Sequence, residues 1–245
     1  MGSELNNKLS PFPANGVAVV IGSTGGIGAA LLDRVTKSGG FSKVIGISRS
    51  TEPALDLLDE ASIEALAARL QGKDLQGKEL RLVIDATGFL HDEERKPERS
   101  WKNLDPQAMA YSYAINAIGP ALLMKHLLPL LPRQGKSVFA TLSAKVGSIG
   151  DNRLGGWYSY RAAKAALNQI TRSASVELGR RWPDAICVAL HPGTVQTPLT
   201  TPFAKSGLDV QTPEQAAQNL LGVIDGLSLK DSGQFFDYKG SRLPW

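Results

Sequence analysis

Short apolar runs rich in β-branched residues recur along the chain and alternate with stretches of helical spacing. The first run, Val17-Ala18-Val19-Val20-Ile21, has no polar position on either side of a period-two pattern. That suits a strand buried on both faces of a parallel sheet. Similar runs predict strands at 43–47, 80–85, 137–142, 186–190 and 234–236. Between them, apolar positions three and four apart predict helices at 27–38, at 62–70 with Ser62 as N-cap, at 106–130, at 157–181 and at 213–227. Residues 89–105 read as a charged, solvated loop, and residues 1–15, with Pro11 and Pro13, as a flexible tail. Repeated strand–helix alternation predicts a doubly wound α/β fold with helices on both faces of a parallel sheet. No linker-like stretch or internal repeat divides the chain, so residues 16–245 are expected to form one domain.

Composition narrows the function classes. The chain has 245 residues, 42% of them hydrophobic, so it can bury a core without staples and is not a disordered chain. Its one cysteine, Cys187, excludes a disulfide scaffold and reads as a small buried hydrophobe. No apolar run reaches the ~18 residues of a membrane span. The start lacks the basic-then-apolar pattern of a secretory signal, so a cytoplasmic protein with no membrane partner is expected. A net charge of +4 without a basic block argues against nucleic acid as the partner.

The junction between the first strand and the first helix carries Gly22-Ser23-Thr24-Gly25-Gly26-Ile27-Gly28. Glycines there permit a tight turn and let a pyrophosphate approach free helix N–H groups. The same cluster also serves as a plain βα turn, and it is not a P-loop, which needs a lysine and a hydroxyl after the last glycine. The second strand ends in Ser48-Arg49-Ser50, with no carboxylate. A carboxylate there would suit a ribose 2′-hydroxyl, whereas a guanidinium suits a 2′-phosphate. The expected cofactor is therefore NADP (NADPH) rather than NAD.

Tyr160 and Lys164 stand four apart at the start of the helix predicted over 157–181, so they share a face. A cation beside a phenol lowers its pKa toward the working range of an acid–base group. These motifs fall in the order found in short-chain dehydrogenases/reductases of the short, single-domain kind, which the chain resembles. The matching residues are Gly22, Gly26 and Gly28; Asp85-Ala86-Thr87-Gly88 in place of Asn-Asn-Ala-Gly; Asn116; Ser143; Tyr160 with Lys164; and Pro192-Gly193-Thr194-Val195-Gln196-Thr197. The stretch 150–158 and the ending 240–245 resemble the C-factor-like and sniffer-like carbonyl reductases.

That resemblance implies a single-domain Rossmann fold with a mostly parallel, seven-stranded sheet, and a small-molecule carbonyl substrate. Tyr160 is implied as proton donor, Lys164 as holder of the nicotinamide ribose, Ser143 as partner of the substrate oxygen, and Asn116 as binder of a relay water. The implied cofactor contacts are Gly22, Ser23, Thr24, Gly26, Ile27, Gly28, Ser48, Arg49, Ser50, Asp56, Leu57, Ala86, Thr87, Gly88, Pro192, Gly193, Val195 and Thr197, beside Asn116, Tyr160 and Lys164. A homodimer or homotetramer through 106–130 and 157–181 is implied as well. Residues 199–208 are expected to cover the pocket. The loop carrying Asp151, Asn152 and Arg153 either shapes the substrate mouth or is a surface excursion. His191 reads as a packed strand-end residue, and His91 and His126 have no companions at metal spacing, so no metal is expected. Two other readings stand beside the reductase: a cofactor-binding signalling or regulatory protein with little turnover, and a nucleotide-sugar epimerase or dehydratase. The latter usually needs a longer C-terminal substrate region.

Overall fold

The computed structural model describes residues 9, 12, 13, 15–203 and 209–245. Its elements are β1 (Gly16–Ile21), α1 (Gly26–Ser38), β2 (Lys43–Ile47), α2 (Glu60–Arg69), β3 (Glu79–Asp85), α3 (Pro106–Tyr113), α4 (Gly119–Leu127), β4 (Ser137–Leu142), α5 (Tyr158–Arg181), β5 (Ala185–His191), β6 (Thr194–Val195), β7 (Val210–Gln211), α6 (Pro213–Gly226) and β8 (Phe235–Asp237). Six strands form one sheet in the order β2-β1-β3-β4-β5-β8, and every pairing in it is parallel. β6 and β7 make a separate two-stranded ladder.

Alternate residues of β1 enter opposite cores. Val17, Val19 and Ile21 pack with Ile63, Leu66, Leu123 and Leu167 of α2, α4 and α5. Ala18 and Val20 pack with Leu31, Val35, Leu220 and Ile224 of α1 and α6. This two-sided burial explains why the strand has no polar alternation. The chain leaves β1 toward β2 on one side and has β3 on the other, so a crevice opens at the carboxyl ends of β1 and β3.

Several details differ from the sequence expectations. The sheet has six strands among the described residues, not seven. After β2 the chain instead turns through Thr51 and Pro53, and Leu55 N–H donates back to the Ser48 carbonyl at 3.0 Å. The expected flexible tail includes Leu9 and Phe12, yet both are buried in the α1/α6 core, Phe12 lying 5.2 Å from Phe41 between ring centroids. The helix expected to begin at Ser62 begins at Glu60 with Asp59 as N-cap, while Ser62 Oγ donates to the Asp56 and Asp59 carbonyls. The single helix expected over 106–130 is interrupted by a π-turn at Ala114–Ile118. Pro120 explains the break: it has no N–H for the Asn116 carbonyl, and Gly119 N–H reaches back to Ala114 instead. β6 and β7 are not expected from the sequence, and the remaining elements stand within a residue or two of their expected bounds.

Candidate functional site

The glycine turn is built by two constraints. Gly22 has φ +80°, and a Cβ there would meet the Ala86 backbone at 3.0 Å. A side chain at Gly28 would run into the Gly22 carbonyl. Gly22 and Ser23 N–H both donate to the Ile47 carbonyl, which ties the turn to the end of β2. Ser23 is buried beneath it, and Ile27 packs into the α1/α6 core. Gly26 lies against Thr197, whose Cγ2 would sit 2.8 Å from an added Cβ. α1 itself begins with Gly25 as N-cap, no side-chain cap and no acidic residue in its first turn. Its first N–H groups are thus left for a ligand.

A cleft of about 620 Å³ opens beside this turn. Of the predicted cofactor residues, Gly22, Thr24, Ser48, Arg49, Asp56, Leu57, Ala86, Thr87 and Gly88 line it. Arg49 is exposed at its rim, and Ser48 Oγ and Ser50 Oγ lie 3.1 Å apart beneath. Asp56 accepts from Leu58 N–H, and Leu57 packs against Gly119. Grooves of about 640 Å³ between α1 and α6 and about 680 Å³ between α4 and α5 are as large, so volume does not single out the cleft. Its chemistry does: free N–H groups, no acid at the helix start and an exposed guanidinium fit a pyrophosphate and a 2′-phosphate.

The second cluster lies at the ends of β3 and β4. Asp85 is fully buried and accepts from Thr87 N–H, Thr87 Oγ1 and Thr141 Oγ1, which fixes the Ala86–Gly88 turn. Asn116, in the π-turn, exchanges two hydrogen bonds with Phe89, donating from Nδ2 at 2.7 Å and accepting at Oδ1 at 3.0 Å. An added Cβ on Gly88 would lie 3.6 Å from Asn116 Oδ1 and 3.9 Å from Lys164 Nζ, so the three meet. Lys164 is 2% exposed and donates from Nζ to the Leu142 carbonyl at 2.7 Å. Ser143 follows directly, and its Oγ donates to Asn168 Oδ1 at 2.6 Å. Pro192 and Gly193 follow β5, with the Pro192 carbonyl accepting from Gln211 Nε2. Val195 is buried in β6, and Thr197 Oγ1 lies 3.2 Å from Thr200 Oγ1.

The expected lowering of the Tyr160 pKa is not what this geometry produces. Burial pushes the phenol up to about 12, and Lys164 Nζ stands 5.9 Å from the ring centroid. The desolvated Lys164 falls to about 8, with the Asp85 charge opposing the fall. Tyr160 is therefore a protonated phenol at neutral pH. Burial likewise lowers His191 to about 4 and raises Cys187 to about 12, so the imidazole is neutral and the thiol protonated.

Sequence reasoning missed the groups that hold the start of α5. Gly155, Gly156 and Trp157 all have positive φ, at 62°, 65° and 54°. Trp157, a bulky residue in that region, is strained. It is held by its N–H, which donates to the Glu98 carbonyl at 2.6 Å. The Glu98 carboxylate is buried and accepts from both Ser159 N–H and Ser159 Oγ. Trp157 also packs edge-on to Phe203, which packs edge-on to His91, each at 5.2 Å between centroids. The loop expected to be merely solvated thus supplies a buried carboxylate, although Glu93, Glu94 and Lys96 are exposed. A buried acid within a charge run has no signature in sequence. Asp151, Asn152 and Arg153 are exposed, and Asp151 pairs with Lys145 at 3.4 Å. Of the expected cover over 199–208, residues 204–208 lie outside the described residues.

A family model described as enoyl-(acyl carrier protein) reductase matches residues 12–223. The chain belongs to the short-chain dehydrogenase/reductase family. It is 36% identical over 197 residues to a 1-hydroxy-2-glutathionyl-2-methyl-3-butene dehydrogenase of Rhodococcus sp. (strain AD45), covering 80% of each. It is 39% identical over 143 residues to the C-signal protein of Myxococcus xanthus, covering 58% of this chain and 82% of that one. Among solved structures, the NADPH-bound carbonyl reductase from chicken fatty liver superposes with a TM-score of 0.81 at 28% identity, covering 95% of this chain and 99% of that one. Membership makes the chain one of a family of oxidoreductases on a Rossmann-like fold. Among the described residues, no helix is long and apolar enough to cross a membrane, and no group of three metal-binding side chains converges.

Proposed function

We propose that the chain is a cytoplasmic, NADPH-dependent carbonyl reductase that converts an aldehyde, ketone or quinone to its alcohol. The observation that carries this reading is the convergence of Asn116, Lys164 and Gly88, with Ser143 and Tyr160, beside the cleft that begins at the glycine turn. NADPH, when bound, supplies the hydride. The N-terminus of α1 would hold its pyrophosphate, Arg49 its 2′-phosphate, and Asp56, Leu57, Ala86 and Thr87 its adenosine end. Lys164 and the Pro192–Thr197 stretch would hold its nicotinamide end. Tyr160, protonated through burial, donates its proton to the oxygen that becomes the alcohol, and Ser143 hydrogen-bonds that oxygen. Lys164 spends one donor on the Leu142 carbonyl, leaving others for a ribose and for a water at Asn116.

The test is NADPH oxidation with a panel of aldehydes, ketones and quinones. Tyr160→Phe should lower kcat by roughly 10²–10⁴-fold; turnover that survives it unchanged refutes the mechanism. Arg49→Ala should weaken NADPH by about tenfold or more, the worth of a charge-assisted contact, while leaving NADH nearly untouched. Equal losses for both would end the 2′-phosphate assignment.

The likeness to C-signal favours a second reading, a cofactor-binding regulator with little turnover. Tight NADPH binding without reduction of any carbonyl would select it. Self-association belongs to the same proposal. The groove between α4 and α5 carries Met124, Leu128, Ile170, Ala174 and Trp182, and Val176 is exposed on the same helix. A homodimer or homotetramer through these helices would cover it, and sedimentation would reveal it.

A further inference from the structure

Asn168 lies on α5, one turn beyond Lys164 and two beyond Tyr160, and is 2% exposed. Its Oδ1 takes the proton of Ser143 Oγ at 2.6 Å, while its Nδ2 has no hydrogen-bond partner among the described residues. Buried N–H groups without acceptors are costly and uncommon. The same arrangement blocks the role proposed for Ser143. With its one proton held by Asn168, Ser143 presents only lone pairs to a carbonyl oxygen that also presents only lone pairs. A half-turn of the Asn168 amide frees the Ser143 proton and gives one Nδ2 hydrogen an acceptor, with Oδ1 moving to the unpartnered side. Nδ2 then donates to Ser143 Oγ, and the Ser143 proton is released toward the substrate oxygen.

We propose that Asn168 is a positioning residue that aims the Ser143 hydroxyl, donating to it through Nδ2 so that Ser143 donates to the substrate. The proposal rests on the carbonyl-reductase reading above. Among the described residues, Asn168 is the side chain hydrogen-bonded to the Ser143 hydroxyl. Lys164 Nζ donates instead to the Leu142 carbonyl, Asp85 accepts from Thr87 and Thr141, and the buried His191 Nδ1 has no partner. Lys145, two residues on, is paired with Asp151, and Tyr160 is needed for its own proton.

Two variants and one spectrum decide it. Asn168→Asp keeps the size but, when ionised, accepts only and keeps the Ser143 proton. Its kcat should fall about 10²-fold, as for loss of an oxyanion donor, with KM for NADPH unchanged. Protonating the new carboxyl at acid pH lets it donate to Ser143, so its kcat should recover toward low pH relative to the wild type. Asn168→Leu, without polar atoms, should lose about tenfold and show no such recovery. It also stands alone if the aspartate variant does not fold. Losses of equal size without the acid recovery mean a structural role and overturn the proposal, as does wild-type turnover in Asn168→Leu.

The side-chain amide protons of Asn168, followed by NMR, test the hydrogen bond without any turnover. Ser143→Ala should shift them upfield and speed their exchange; an unchanged signal overturns the proposal. If those signals respond but the wild type reduces no carbonyl, the carbonyl reading fails while the Asn168–Ser143 hydrogen bond stands.

Discussion

Two helix starts face the cleft region, and they are finished in opposite ways. α1 opens on bare backbone: Gly25 caps it without a side chain, and no acid stands in its first turn. α5 opens on a buried carboxylate from a distant loop, Glu98, which takes both donors of Ser159. Each helix start carries partial positive charge and unpaired N–H groups. In α1 no side chain caps them, which leaves them open to an anion. In α5 the protein itself supplies an acceptor for the Ser159 N–H, and one residue later places Tyr160. The difference separates a surface made to bind from a frame made to hold a side chain still.

The α5 end also stores a buried cation, and the largest expected effect tests that. Lys164 falls from 10.5 to about 8 in the fold because burial disfavours its charge. Between about pH 8 and 10.5 the unfolded chain therefore binds a proton that the native state does not. Lys164 should therefore add stability as pH rises through that window, by up to about 3 kcal/mol from the size of the shift, against the loss that the raised Cys187 and Tyr160 bring above about pH 9 and 10. Lys164→Met should abolish that contribution together with most turnover. Urea unfolding at pH 7, 9 and 10 checks it; identical pH slopes in the two proteins would contradict a buried, desolvated ammonium. α1 offers no such group, so no substitution in its first turn should alter this slope.

The Glu98 plug is the next test. Glu98→Ala leaves the Ser159 N–H and hydroxyl buried without their acceptor, which should cost about 2 kcal/mol. The backbone bond from Trp157 to residue 98 remains, but the start of α5 loses its carboxylate anchor at Ser159, and a displacement of Tyr160 by an ångström lowers kcat by about 10²-fold. Glu98→Gln keeps an acceptor oxygen and should retain most of both. Unfolding midpoints and steady-state rates on the same samples decide the matter. If the alanine variant lost stability but kept kcat, the plug would serve the fold alone.

The two regions also differ in how readable they are. The pattern that marks the α1 end is contiguous: an apolar run, a glycine turn and a helix pattern within residues 17–38. The Tyr160–Lys164 pair is legible for the same reason, since one helical turn fixes its geometry. The strands themselves and their burial on both faces follow from runs such as 17–21 and 137–142, while their order in the sheet does not. What was not legible depends on contacts distant in sequence. Glu98 and Ser159 are 61 residues apart, and Ser143 and Asn168 are 25 apart. The Tyr160 pKa depended on burial that spacing does not reveal, so a neighbouring lysine was expected to dominate where desolvation does. The π-turn at Asn116 lay within an otherwise helical pattern, with Pro120 as its one visible cause.

The smallest effect is the sharpest probe of the comparison, because its two parts have opposite signs. Gly25 has φ −74° and ψ 160°, an ordinary extended conformation open to any residue. A Cβ there would meet the Gly22 carbonyl at 3.4 Å, an ordinary contact. Gly25→Asp would give α1 the side-chain cap and first-turn acid it lacks. Capping and the helix dipole should together stabilise the protein by a few tenths of a kcal/mol, up to about 1 kcal/mol. The same carboxylate would occupy the N–H groups and oppose a pyrophosphate, weakening NADPH by about tenfold. Thermal unfolding should therefore show a higher midpoint without cofactor and a smaller upward shift when NADPH is added. A variant that gained stability and bound NADPH as well as the wild type would mean that the bare helix start is not where the phosphates sit.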